Sequence, residues 1–109
     1  MSLCIHLALL ILLGVHKYRM HIEFDPEKSA KNAHERGLPF DLVAEFDFDT
    51  AVVARDTREP YGEARFIAVG LVGVRLHLVA YTMRGEILRV ISFRKANARE
   101  IQRYEQARF

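Results

Sequence analysis

The sequence predicts an α+β domain: a small antiparallel sheet of meander type, with two N-terminal helices before it and one C-terminal helix after it. Three observations lead there. Short apolar, β-branched runs follow one another between Ala64 and Phe93, broken by glycine turns. Helix start and stop signals bracket the stretch from Asp25 to Gly37. Asn97 stands three residues before Glu100 at the head of the last segment, the spacing of a capping box.

Each element has its own warrant. His21-Ile22-Glu23-Phe24 alternates polar and apolar residues, as a short first strand does. Asp25-Pro26-Glu27 supplies an N-cap, a proline for the first helical position and an acid at the positive end of the helix dipole. Gly37, followed by Pro39, stops that helix. A brief second helix is expected over Leu42–Phe46 and a strand over Ala51–Arg55. Asp56 to Gly62 reads as a polar loop. Strands are then expected at Ala64–Leu71, Arg75–Thr82 and Ile87–Phe93, with tight turns at Val72-Gly73 and Arg84-Gly85. In the last helix Ile101 and Tyr104 mark the inward stripe, and all helices are expected on one face of the sheet.

The chain of 109 residues suits one core, with no internal linker. Leu3 to Val15 is apolar apart from His6, and its thirteen residues fall short of the ~20 that span a bilayer. The first cations, Lys17 and Arg19, follow the apolar run, unlike those of a signal peptide. Residues 1–19 therefore read first as an N-terminal extension, with translation starting at or near Met20, the alternatives being a weak anchor or an added packing helix, and residues 20–109 as the domain. A cytoplasmic protein without stable membrane association is expected.

Cys4 is the single cysteine, which excludes an internal disulfide and a cysteine-based zinc site. The five histidines, His6, His16, His21, His34 and His77, show no metal-ligand spacing, so neither metal nor cofactor is expected. Charge is unevenly spread. Glu23 to Asp49 holds eight acids against three bases, whereas Arg84 to Arg108 holds seven bases against three acids. Twelve of the sixteen cations are arginine, which grips phosphate bidentately. Such a basic quarter can hold a polyanion, although a solvated charged face is the commoner use of such residues.

The densest cationic stretch is Arg89-Val90-Ile91-Ser92-Phe93-Arg94-Lys95, where a strand runs into a helix start, itself an anion site. Strict alternation places Arg89, Ile91 and Phe93 on one face and Leu88, Val90, Ser92 and Arg94 on the other. Arg89 then stands among apolar groups, where it needs a partner such as Glu63 or an open cleft. Lys95, Arg99 and Arg103 recur every four residues along one helix side. Glu63 and Arg65 point the same way from the start of a strand, and Tyr81-Thr82 end the next one. His77 reads as a packed or surface histidine, and His34 as another titrating group of the domain. No Ser-His-Asp set, P-loop or dinucleotide fingerprint is present.

Four blocks in order resemble the BrnT family of bacterial toxins over roughly residues 22–105. They are Phe24-Asp25 with Lys28, Asn32, Gly37 and Phe40; then Asp56 with Gly62-Glu63-Ala64-Arg65 and Ala68-Val69-Gly70; then Tyr81-Thr82 with Arg84; then Arg89 to Ala96 with Glu100 and Tyr104. One departure stands out: the family's Lys-His before the helix-ending glycine is here Glu35-Arg36, and His34 lies on a different side of the helix. The resemblance implies a RelE-like ribonuclease fold, RNA cleavage that inhibits translation, and neutralisation by a BrnA-like antitoxin; with no metal-ligand spacing in the sequence, the cleavage is expected to be metal-independent. DNA is then bound only through the antitoxin.

For such chemistry Arg65, Arg89 and Arg94 are the candidate clamp on the scissile phosphate, with Ser92, Lys95 and Arg99 tracking the RNA backbone. Glu63 is the candidate base, and Tyr81 or His34 the candidate acid. Two rivals fit the same charges: a basic module that binds RNA or an acidic partner without cutting, and a structural domain whose arginines pair with the acidic N-terminal half.

Overall fold

The computed structural model describes residues 21–108; the expectations for residues 1–19 lie outside them. The chain forms strand β1 (His21–Glu23), helix α1 (Pro26–Arg36), a 3₁₀ helix (Phe40–Glu45), β2 (Val52–Asp56), β3 (Arg65–Val72), β4 (Arg75–Arg84), β5 (Ile87–Lys95) and helix α2 (Ala98–Arg108). The local signals act as expected. Asp25 Oδ1 accepts the Glu27 N–H at 2.9 Å. Gly37 ends α1 in the left-handed region at φ 69°, its N–H donating to the Ala33 carbonyl. The two hairpin turns fall one residue later than expected, at Gly73-Val74 and Gly85-Glu86. The expected second helix is a 3₁₀ turn: Pro39 starts it, and so short a run closes by i→i+3 bonds, Leu42 N–H to Pro39 O and Phe46 N–H to Val43 O.

The sheet has five strands in the order β1-β5-β4-β3-β2. From β2 to β5 it is the antiparallel meander, but β1 pairs parallel with β5, so the sheet is mixed rather than antiparallel. The path explains this. α1 and the 3₁₀ helix carry the chain from the β1 edge to the β2 edge, and the returning meander brings β5 back beside β1 with the same direction.

One face holds the main core: Ala68, Val79, Tyr81, Leu88, Val90 and Phe93 pack against Leu38, Phe40, Val43 and Phe46. Gly70 admits the Phe46 ring, whose Cζ would lie 2.7 Å from an added Cβ. Asn32, buried in α1, donates from Nδ2 to Leu38 O (2.7 Å) and Phe93 O (2.8 Å), tying the helix end to β5. Arg36 adds donations to Asn32 Oδ1 at 3.1 Å and Phe93 O at 3.5 Å. This is what the departure at Glu35-Arg36 supplies here: a tie between helix and strand.

Two expectations about faces are corrected. β5 does not alternate strictly, because its register against β4 shifts between Ala80↔Ser92 and Tyr81↔Val90, leaving Ile91 as a bulge. Leu88, Val90 and Phe93 therefore share the core face, while Arg89, Ser92 and Arg94 share the other. Nor do all helices lie on one side. Arg94 on that second face bonds Glu100 of α2, α2 packs against β3, and Leu78 and Tyr104 are buried there outside the main core.

Candidate active site

On the α2 face, five residues are consecutive register partners across the whole sheet: Asp56, Arg65, Thr82, Arg89 and Glu23, from β2 to β1. The sheet thus sets two arginines on either side of a threonine, about 10 Å apart at Cα by two strand spacings. A carboxylate closes each end of the row. Thr82 is 2% exposed, and its hydroxyl donates to the Ala64 carbonyl at 2.7 Å, which fixes the start of β3.

The arginines are loosely held. Arg89 Nη1 is 3.4 Å from Glu23 Oε1, and Arg84 Nη1 reaches the same oxygen at 3.5 Å. Arg65 Nε stands 3.7 Å from Glu63 Oε1, is shielded from solvent and has no hydrogen-bond partner. Its guanidinium lies 4.2 Å from the Tyr61 ring centroid, a cation–π contact. Half-exposed pairs at such lengths contribute little, of the order of 0–1 kcal/mol each. The partner of Arg89 is Glu23 from the acidic N-terminal half, where the sequence suggested Glu63.

At the far end of β5 the geometry differs. Arg94 is in register with Leu78, four residues along β4 from Thr82, and so about 13 Å from the row. Its Nη1 and Nη2 donate to Glu100 Oε1 and Oε2, both at 2.8 Å. Glu100 also accepts the Asn97 N–H at 2.9 Å, and Asn97 Oδ1 accepts the Glu100 N–H at 2.9 Å, completing the capping box that starts α2. The Arg94 bond holds the Glu100 carboxyl below its ordinary range.

The structure brings Glu63, Arg65 and Arg89 to one end of the sheet and leaves the other candidates elsewhere. Tyr81 lies on the core face, stacked on Phe66 with ring centroids 5.6 Å apart, and burial pushes its phenol up. His34 is exposed on α1, across the sheet from the row. Ser92 is half-buried, and Lys95 and Arg99 are exposed at the Arg94 end. His77 is packed, its Nδ1 2.9 Å from Arg75 O and its ring against Phe93. Sequence reasoning missed Glu23 as the row's carboxylate, because a strand's alternation does not name its neighbour. It also missed the knot in the β2–β3 loop, where Asp56 accepts from Arg58 and Tyr61. Close Asp-x-Arg spacing in a turn was the signal available.

The fold is thus a small α+β domain whose sheet sets two loosely held arginines on either side of Thr82. The family model described as the ribonuclease toxin BrnT of type II toxin–antitoxin systems matches residues 24–100, and the chain belongs to that family. It is thus a ribonuclease toxin with an antitoxin partner and RNA as substrate. No curated protein matches the chain significantly. Among the described residues no helix is long and apolar enough to cross a membrane.

Proposed function

We propose that this toxin is a metal-independent endoribonuclease of RelE-like fold that inhibits translation in the cytoplasm, with the scissile phosphate held over Thr82 by Arg65 and Arg89. The observation that carries this reading is the register row, which sets two weakly engaged arginines on either side of Thr82. In the free protein each leans toward its carboxylate, and a phosphate arriving over Thr82 draws both inward by side-chain rotation alone. Two positive groups there stabilise the pentavalent phosphorane, the largest need of the reaction. Glu63, exposed beside Arg65, takes the 2′-OH proton. With Tyr81 and His34 off the row, solvent supplies the proton to the 5′-oxygen. Arg94 serves as a positioning residue that seats α2 on the sheet, with Lys95 and Arg99 tracking the RNA backbone. A BrnA-like antitoxin neutralises the toxin by covering this face, and the complex meets DNA through the antitoxin.

Inducible expression of the full chain and of Arg65→Ala and Arg89→Ala variants, with growth and total RNA followed, tests this. The parent alone should arrest growth with loss of RNA, and purified toxin should cut RNA equally in EDTA. A non-cleaving RNA-binding module is the second reading, favoured by the carboxylate paired with each arginine of the row. It predicts arrest or binding with the RNA intact.

A further inference from the structure

The β2–β3 loop forms a groove beside the row, lined by Arg55, Arg58, Tyr61, Glu63 and Ala64 among others. Its walls are organised by one carboxylate. Asp56, whose side chain is 5% exposed, accepts from Arg58 Nε and Nη2 at 2.8 Å each, from the Arg58 backbone N–H at 3.2 Å and from the Tyr61 hydroxyl at 3.0 Å. These bonds hold the Asp56 carboxyl well below its ordinary range, so it stays charged in use. A planar cation and a planar ring are thereby fixed in place before any ligand arrives. Arg58 is nonetheless 74% exposed, with its remaining N–H donors uncommitted. Gly62, at φ 76°, makes the bend that leads from Tyr61 to Glu63.

Arg65 joins this groove to the row: its guanidinium rests on Tyr61 while its Cα is the register partner of Asp56 and Thr82. Its shielded Nε lacks an acceptor, an unusual state for a buried donor and a mark of how loosely this side chain is held. Flat aromatic and guanidinium surfaces beside a phosphate clamp are how proteins seat single-stranded nucleotides, since each base offers a π-face. We propose that this groove is a nucleotide subsite for single-stranded RNA, in which Tyr61 and Arg58 hold a base adjoining the phosphate gripped by Arg65. The proposal rests on the ribonuclease reading and adds to it a place for the base, and hence a source of sequence preference.

The test uses the full chain and a labelled 2′-O-methyl RNA hexamer, which cannot be cut through the 2′-oxygen, beside the same hexamer made abasic. Anisotropy titrations compare the parent, Tyr61→Leu and Arg58→Ala, with circular dichroism checking the fold. Tyr61→Leu should weaken the base-bearing hexamer roughly 5- to 100-fold and leave the abasic one within about twofold. Arg58→Ala, at an exposed side chain that serves if the leucine variant does not fold, should weaken the base-bearing hexamer more than the abasic one. Equal losses on both hexamers, or no loss, overturn the subsite while RNA cleavage by the parent leaves the ribonuclease reading standing. A parent that neither binds nor cuts RNA overturns both.

Discussion

β5 carries an arginine near each end, and the two are held in different ways. Arg94 is locked: two 2.8 Å bonds to Glu100, which also caps the helix that follows. Arg89 shares one oxygen of Glu23 with Arg84 at 3.4 and 3.5 Å. Sequence treats them as equal members of one basic strand. The structure separates a cation tied into the architecture from one held by a single long contact, and the proposed catalysis draws on the second kind.

The largest expected effect is on the loose end. Arg89→Ala should lower RNA cleavage by roughly 100- to 1000-fold, the scale of losing one preorganised charge at a transition state. Its stability should change by less than about 1 kcal/mol, as for other half-exposed pairs of such length. The matched change at the locked end should reverse this. Arg94→Ala should cost about 1–2 kcal/mol in urea unfolding, through a weakened cap and a half-buried Glu100 left unpaired, with cleavage by the folded protein within about threefold.

Acid distinguishes the ends as well. The Glu100 carboxyl is held below its ordinary value of 4.5, chiefly by the Arg94 hydrogen bonds. A lowered folded value contributes stability that is complete above about pH 4.5 and fades as pH falls through the folded value. The stability gap between parent and Arg94→Ala should therefore narrow below pH 4.5 in acid-unfolding curves. Glu23→Gln should raise RNA affinity by about two- to fivefold at low salt, by freeing Arg84 and Arg89 from a competing carboxylate. The smallest effect is expected at Tyr81→Phe, with cleavage within about twofold, because its hydroxyl sits on the core face.

Much of the fold was legible where the signals are local. Asp25, Gly37 and the Asn97–Glu100 box each act within a few residues of chain and do in space what their spacing implies, and the glycine turns do so to within one residue. The parallel pairing of β1 with β5 was not legible, since it joins residues such as Glu23 and Arg89 that only the finished meander brings together. The bulge at Ile91 did leave a trace: Leu88, Val90 and Phe93 are spaced two and then three apart, which a strict period of two overrode. That one residue moved Arg89 out of the core face and onto the side of Ser92 and Arg94. The proposed site was therefore half visible. Arg65, Arg89 and Glu63 were candidates that the fold brings to one end of the sheet, but Arg94 could not be set apart from them without its bond to Glu100. Thr82 as the centre of the row likewise required the cross-strand register.

The most direct measurement of the central claim is the single-turnover rate of RNA cleavage by Arg89→Ala and Arg94→Ala side by side, each confirmed folded. Loss of activity in Arg89→Ala with near-parental rates in Arg94→Ala is the result this account predicts. Full activity in Arg89→Ala, or a greater loss in Arg94→Ala, would contradict it and move the site to the other end of the strand.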